Sequence, residues 1–226
     1  MDPIGVRPDH VRDDPWYRAG VWTVGVAAHA ALRIRYHGLD NVPRSGGAIL
    51  ASNHISVLDP IVIALGPVRI DRTVRFLAAA EFFERGRHIV AFGLKRFKQI
   101  PVRRGKADWQ ALEEVAAVIR AGSLAGIFPE GRMGDGTALQ RGHRGVARIA
   151  LTAGTPIVPV GIWGTQLRWP REGVRWKRPL RPTVHCVYGP PIEAIGDAHD
   201  RREVLDLTHQ VMEAIGKSLA DAQALF

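Results

Sequence analysis

Short apolar runs alternate with longer segments of helical periodicity along most of the chain. We predict buried strands at residues 47–52, 74–78, 99–102, 124–128, 156–162 and 183–188. We predict helices between and after them at residues 60–65, 81–97, 107–121, 142–153 and 199–225. Strands that alternate with helices form parallel sheets covered on both faces. The pattern therefore predicts an α/β fold with a mostly parallel central sheet flanked by helices.

An apolar stretch near the start of the chain, residues 21–32, predicts a further helix in front of the sheet. Only fourteen residues separate Arg18 from Arg33. That is about 21 Å of helix, whereas the hydrocarbon core of a bilayer is about 30 Å thick, so we expect no membrane span. The helix could lie in a membrane interface or pack on the core. We treat residues 1–40 as this N-terminal, membrane-facing helical element and residues 41–226 as the α/β domain.

The chain is strongly basic, with 31 lysines and arginines against 22 acidic residues and a net charge of +9. This balance predicts an anionic partner, which could be nucleic acid, an anionic membrane surface or a phosphorylated small molecule. Residues 68–106 carry a local charge of +8 and residues 168–181 one of +5, which indicates a docking face. The single cysteine, Cys186, excludes an intramolecular disulfide framework and a multi-cysteine metal site.

The first candidate for chemistry directly follows a predicted strand: Asn53 and His54, then four residues, then Asp59 and Pro60. Asp followed by Pro is typical of a helix start, which places His54 in a strand-to-helix loop, where open α/β proteins bind ligands. An imidazole held by a carboxylate can act as a general base on a hydroxyl. Side chains five positions apart on one helix would diverge by about 140°, so the pair meets only if the loop turns the histidine back. The alternative is a capping aspartate beside a surface histidine.

The second candidate is the segment Phe128-Pro129-Glu130-Gly131-Arg132, which follows another predicted strand. A carboxylate, a glycine and a guanidinium at a strand end make a polar loop that can bind anions. An ordinary Pro-Gly turn with a surface ion pair is the alternative.

Two further segments complete the set. Arg103 and Arg104 follow the predicted strand at residues 99–102 and precede a helix, a placement that suits phosphate binding. A solvated charge run is the alternative. In residues 157–161, Pro159 interrupts a strand, which indicates an edge strand or a bulge.

In this order and at these intervals, the four segments resemble the glycerolipid acyltransferase family, the 1-acylglycerol-3-phosphate acyltransferases. The blocks of that family are Asn-His with Asp after four intervening residues, an apolar-Pro-apolar stretch that leads to Arg, Phe-Pro-Glu-Gly, and a Val-Pro-Val strand. Here they lie between Asn53 and Gly161, about half of the chain. The family usually reads Glu-Gly-Thr-Arg in its third block, whereas Arg132 directly follows Gly131 here, one position early.

The resemblance implies a definite chemistry. His54 would be the general base for a free hydroxyl of a glycerol phosphate, and Asp59 would orient and stabilise its imidazole. The hydroxyl would attack an acyl thioester, acyl-CoA or acyl-ACP, directly, with no covalent acyl-enzyme, no metal and no cofactor. The residues implied to hold the acceptor phosphate and shape its pocket are Arg103, Arg104, Glu130, Gly131 and Arg132.

The implied protein is an O-acyltransferase that converts lysophosphatidic acid to phosphatidic acid, peripheral on the cytoplasmic side of the cell membrane. Its partners would be an acyl thioester, a lysophospholipid and an anionic membrane surface, with no nucleic acid expected. One open alternative is the same chemistry on glycerol 3-phosphate, another lysophospholipid or a glycolipid. The other is a basic nucleic-acid-binding protein, although the sequence shows no recognisable DNA- or RNA-binding module.

Overall fold

The computed structural model describes residues 14–82, 92–93, 95–102, 109–176 and 179–226. The helices are α1 (Pro15–Ala31), α2 (Asp59–Val68), α3 (Trp109–Arg120), α4 (Gly145–Ala153) and α5 (Arg201–Ala224). The strands are β1 (Arg33–His37), β2 (Ala48–Ser52), β3 (Val74–Ala79), β4 (Ile100–Val102), β5 (Leu124–Ile127), β6 (Ile157–Trp163) and β7 (Thr183–Tyr188). All six predicted strands are confirmed. The predicted helix at 81–97 falls mainly on residues 83–91 and 94, which lie outside the described residues.

The seven strands form one sheet in the order β1-β7-β6-β2-β5-β3-β4. The five strands from β6 to β4 are parallel to one another. β7 runs antiparallel to β6 and pairs in parallel with β1. The predicted α/β fold with a mostly parallel sheet is therefore confirmed. β1 was not predicted, because only Ile34 of its five residues is buried and the strand lacks an apolar run.

Two apolar layers cover the two faces of the sheet. One contains buried residues of α3, α4 and α5, and the other is built mainly from α2 and the end of α1. α5 crosses β6 at Gly161, where a Cβ would lie 2.1 Å from the carbonyl carbon of Ser218. Glycine is needed there because any side chain would push the helix backbone off the strand.

Pro159 lies in β6, an interior strand, so the prediction of an edge strand is wrong. On one side Pro159 pairs with Ala51 of β2. On the other side, the β6–β7 ladder begins only at Val160, and the carbonyl of Pro159 accepts the N–H of Gly189 at 2.8 Å. The missing N–H of the proline thus falls just before that ladder begins, and an interior strand tolerates it.

α1 is longer than the predicted stretch and packs through Tyr17, which meets the ring of Phe97 edge-on. The helix begins after Asp14, whose carboxylate accepts the N–H of Tyr17 at 2.9 Å. A hydrogen bond from Arg96 to the same carboxylate lowers the pKa of Asp14 to about 2. Within the described ranges, no helix combines the length and apolarity needed to cross a bilayer. The division at residue 40 stays a prediction, although β1 belongs to the sheet.

Part of the basic segment 68–106 supports the fold. Arg72 is buried, and its guanidinium donates to three carbonyl oxygens, those of Pro43, Gly46 and Gly122, at 2.7 Å each. Arg75 is buried as well. Arg72 cannot contribute to the docking face that the charge run indicated, because its guanidinium lies inside the protein.

Candidate active site

The candidate site lies in the loop between β2 and α2, at the edge of the sheet where the parallel strands end. The loop begins at Asn53, whose buried amide bonds twice to the backbone of Ile162. Its Nδ2 donates to the carbonyl at 3.0 Å, and its Oδ1 accepts the N–H at 2.9 Å. These bonds continue the β2–β6 ladder beyond its last backbone pair, Ser52 and Val160. The main chain can therefore leave the sheet here with its partner strand still satisfied.

His54 and Asp59 meet in this loop. The imidazole Nδ1–H donates to Oδ2 of Asp59 at 3.0 Å, and the carboxylate is fully buried at the first residue of α2. The same oxygen accepts the backbone N–H groups of Ile55 and Ser56 at 2.7 and 2.8 Å. These bonds turn the loop back over the helix start, which is the condition under which the two side chains can touch. The contact is confirmed, and its catalytic role stays a prediction.

Asp59 has a further partner that the sequence did not reveal. The hydroxyl of Thr165, a fully buried residue just beyond β6, donates to Oδ1 at 2.6 Å. Four donors therefore converge on one carboxylate, which matches an ionised group because such a group has only acceptors. Both carboxylate oxygens are held, so the direction of the bond to the histidine is set by three other donors, two in the same loop and one just beyond β6.

The imidazole of His54 lies flat on the ring of Phe128, with centroids 4.0 Å apart. Phe128 in turn stacks on Phe76 of β3, with centroids 5.4 Å apart. The histidine side chain is 17% exposed. Among the described residues, none hydrogen-bonds to its Nε2. With the proton held on Nδ1 by Asp59, Nε2 is the nitrogen that can receive a proton from a bound molecule.

Glu130 holds the same loop from the next strand. It is buried, and its two oxygens accept the backbone N–H groups of His54 at 2.8 Å and of Gln140 at 2.9 Å. Burial raises the pKa of Glu130, while these two hydrogen bonds act in the opposite direction. Gly134 completes the connection, because its N–H donates to the carbonyl of His54 at 2.7 Å. Glu130 thus positions the histidine backbone, and its carboxylate is directed at the protein.

Gly131 and Arg132 form the turn that follows. Gly131 has a φ of +66°, and a Cβ on it would lie 2.9 Å from Cδ2 of His143, so a side chain there would be strained. Arg132 is exposed, and its Nε–H donates to Oε1 of Gln140 at 2.5 Å. The Pro-Gly turn given as the alternative matches this backbone. The turn also contacts residues 53–58, which we call the histidine loop, through Glu130 and Gly134.

Arg103 and Arg104 lie outside the described residues. They follow β4 directly in sequence, and β4 is parallel to β3 and ends at the same edge of the sheet as β2. Their assignment as phosphate ligands therefore stays a prediction.

An apolar cavity of about 250 Å³ lies beside the stacked rings, between α1, α2 and β3. Phe76 lines it and also stacks on Phe128, and Pro60 lines it one residue after Asp59. Other lining residues are Val21, Val24, Ile61, Ala64 and Leu65. The cavity therefore lies near the His54–Asp59 pair, with the ring of Phe128 between Phe76 and His54. No sequence signal indicated it, because its walls come from distant segments.

The Acyltransferase family model matches residues 33–163, more than half of the chain, and the chain belongs to this family. Over 144 residues it is 29% identical to a 1-acyl-sn-glycerol-3-phosphate acyltransferase of Borreliella burgdorferi, covering 60% of this chain and 53% of that protein. It is 25% identical over 211 residues to a protein of the same name from Pseudomonas aeruginosa, covering 91% and 76%. The family match favours the enzyme hypothesis over nucleic-acid binding.

A similar solved structure is the crystal structure of the 1-acyl-sn-glycerophosphate (LPA) acyltransferase, PlsC, from Thermotoga maritima. The TM-score is 0.71 at 22% identity, with 92% of this chain and 79% of that chain covered. This likeness supports the fold. The alignments span 53% to 61% of the length of the first curated relatives that the chain matches.

Proposed function

We propose that this chain is an O-acyltransferase that moves a fatty acyl chain from an acyl thioester to the free hydroxyl of 1-acylglycerol 3-phosphate, which forms phosphatidic acid. The observation that carries the proposal is the His54–Asp59 pair, with Nδ1 bound to a buried carboxylate. Two relatives are named for an acyltransferase of this acceptor, which supports the same substrate class here. Acyl-CoA and acyl-ACP are the candidate donors, and the chemistry requires no cofactor.

Proton transfer to His54 starts the reaction. Nε2 takes the proton of the acceptor hydroxyl as the hydroxyl oxygen forms a bond to the thioester carbonyl carbon. Because Nδ1 keeps its proton and donates it in a hydrogen bond to Asp59, the neutral ring carries its lone pair on Nε2. The imidazolium that results is stabilised by the buried carboxylate 3.0 Å away.

Collapse of the tetrahedral adduct completes the transfer. The carbon–sulfur bond breaks, the thiolate leaves with the electron pair, and His54 returns its proton to the sulfur. The acyl group is then bonded to the acceptor oxygen, and the histidine is neutral again. No nucleophilic side chain is required. Cys186 does not suit that role, because burial raises the pKa of its thiol to about 12.

We assign the apolar cavity to a fatty acyl chain of one substrate. Its lining is almost wholly hydrocarbon and aromatic, and its wall includes Phe76, which stacks on the Phe128 ring that lies against His54. Each methylene that leaves water for such a site contributes about 0.8 kcal/mol to binding. The size of the cavity would then set how long an acyl chain the enzyme accepts.

A bulkier side chain in the cavity is expected to shift the preference toward shorter acyl chains. Val24 lines the cavity from α1, whereas Val26 of the same helix is exposed, which makes a matched control. For Val24→Trp, kcat/KM with long-chain thioesters should fall about tenfold relative to short-chain ones. Val26→Trp should leave the profile unchanged. The measurement is kcat/KM for a series of thioesters of increasing acyl-chain length. The same dependence on chain length in Val24→Trp as in the unaltered chain would contradict the assignment.

The acceptor phosphate is proposed to bind Arg103 and Arg104, in a pocket shaped by Glu130 and Gly131, with Arg132 as a further ligand. Support comes from the turn at Gly131, which contacts the histidine loop, and from the exit of β4 at the same sheet edge. Because the acceptor resides in a membrane, the proposal includes a peripheral location on its cytoplasmic face. The basic charge of the chain is consistent with an anionic membrane surface.

An acceptor panel tests the proposed function. The purified chain is assayed with one long-chain acyl-CoA and the matching acyl-ACP on lysophosphatidate, glycerol 3-phosphate, neutral lysolipids and a glycolipid. We expect the acyl chain of the thioester to appear in phosphatidic acid.

Arg103→Gln and Arg104→Gln should each raise the acceptor KM about tenfold without changing the donor KM, because a charge-assisted bond to the phosphate is lost. Lys217→Gln, on α5, is the control.

Equal transfer to neutral acceptors would contradict the phosphate assignment. Activity on glycerol 3-phosphate or a glycolipid alone would replace the acceptor and leave the chemistry of His54 in place.

A further inference from the structure

The connection between β6 and β7 exposes large apolar side chains to solvent. We call residues 165–176 and 179–181 the tryptophan loop. Trp176 is 74% exposed and Leu180 is 66% exposed, and Trp169 and Val174 are exposed as well. Soluble surfaces carry single exposed apolar residues routinely, but four on one connection form a patch that indicates a binding surface.

The tryptophan loop is braced from inside by Arg168. This residue is buried, and its guanidinium donates to the carbonyl oxygens of Arg175, Pro179 and Leu180. The guanidinium also lies over the ring of Trp176, 5.1 Å from its centroid. These carbonyls would otherwise lose their water on entering an apolar phase, which is unfavourable for an unpaired carbonyl. Because Arg168 satisfies them, the loop can enter such a phase more easily.

The loop lies beside the candidate active site. The carbonyl of Trp169 accepts the hydroxyl of Ser56 at 2.7 Å and the N–H of Val57 at 3.1 Å, and both donors belong to the histidine loop. At its other end, Arg181 donates to the carbonyl of His29 near the end of α1. A surface bound by the tryptophan loop is therefore at the same sheet edge as His54.

The charge of the loop favours an anionic partner. Residues 168–181 carry a net charge of +5. Among the described residues, Arg171, Arg175 and Arg181 are exposed, and Glu172, the one acidic residue of the segment, pairs with Arg175 at 3.2 Å. Exposed tryptophan beside arginine is typical of the headgroup region of membranes, where the indole has an apolar body and a polar N–H.

We propose that the tryptophan loop docks on an anionic lipid surface, with Trp176 and Leu180 at the boundary between headgroups and acyl chains. The orientation of this docking rests on the proposed function, since it brings the histidine loop next to a membrane-borne acceptor. An acidic protein is the competing occupant. Lipid is favoured because apolar and basic side chains alternate on a loop in which Arg168 already satisfies three backbone carbonyls.

Vesicle binding of the full chain tests the proposal. Co-sedimentation is measured with vesicles of phosphatidylcholine alone and of phosphatidylcholine with phosphatidylglycerol. Trp176→Ser/Leu180→Ser is expected to weaken partition onto the anionic vesicles about tenfold, because apolar area no longer enters the interface. Arg171→Gln should weaken it about fivefold, as one cation near the surface is lost. Ile195→Ser is the control. Ile195 is highly exposed and follows Ile192, which pairs with Ile157 at the start of β6, at the end of the sheet opposite to His54.

Partition of Trp176→Ser/Leu180→Ser equal to that of the unaltered chain would overturn the proposal, and so would equal weakening by Ile195→Ser. If vesicle binding is unchanged but turnover with acyl-ACP alone falls, the loop binds the carrier protein and the lipid assignment is wrong. The double variant should retain turnover on a short-chain, water-soluble acceptor. If the unaltered chain binds vesicles through the loop but transfers no acyl group, the proposed function fails and the docking surface stands.

Discussion

His54→Ala is expected to lower kcat for acyl transfer by about 10³-fold, because the hydroxyl then loses the base that takes its proton. KM for both substrates should change little, since the imidazole contributes mainly in the transition state. The measurement is the initial rate with lysophosphatidate and a long-chain thioester. His209→Ala, an exposed histidine on α5, is the matched control.

The fold of the His54→Ala variant should survive, because the side chain is at the surface of the site and Asp59 keeps three other donors. Thermal unfolding and far-UV circular dichroism check this point. Residual activity within about tenfold of the unaltered chain would refute the role of His54, since a general base contributes more than that.

Asp59→Asn should lower kcat by about 10²- to 10⁴-fold while the fold is retained. The amide has nearly the shape of the carboxylate, and its oxygen can keep the three partners of Oδ2 while its NH₂ group faces the hydroxyl of Thr165, which can accept as well as donate. The negative charge that stabilises the imidazolium is then lost, which slows proton transfer to Nε2. Asparagine is preferred to alanine here, because alanine would leave buried donors unpaired at a cost of about 1–3 kcal/mol each.

Thr165 offers a graded version of the same test. Thr165→Val removes one of the four donors to Asp59 and should lower kcat about tenfold with little change in KM, whereas Thr165→Ser should restore the rate. In Asp59→Asn, adding Thr165→Val should cost little more, because both act on His54 through the side chain at position 59. Full additivity of the two losses would show that Thr165 acts elsewhere.

Much of the fold follows from the hydrophobic pattern, because buried strands of a parallel sheet appear as apolar runs. The hydrophobic pattern does not reveal that β7 is antiparallel to β6. An antiparallel strand that is buried on both faces has the same apolar composition as a buried parallel strand. Arg72 shows another limit. It belongs to a basic run that indicated a surface, but three carbonyl oxygens converge around its guanidinium inside the protein. Charge along a sequence does not reveal such partners.

The site was predictable where its parts are close in sequence. His54 and Asp59 share one loop, and the Asp-Pro helix start marks the end of that loop. Thr165 is 106 residues from Asp59 and reaches it only because β6 lies next to β2. The apolar cavity likewise combines two helices and a strand, so only the tertiary structure shows that it lies near the histidine.

The central claim is that Asp59 keeps the ring proton of His54 on Nδ1 and leaves Nε2 able to accept the proton of a substrate hydroxyl. Nitrogen-15 NMR of the imidazole, at a pH where the ring is neutral, measures this directly. We predict the Nδ1–H tautomer in the unaltered chain. A proton on Nε2 in the unaltered chain would contradict the account.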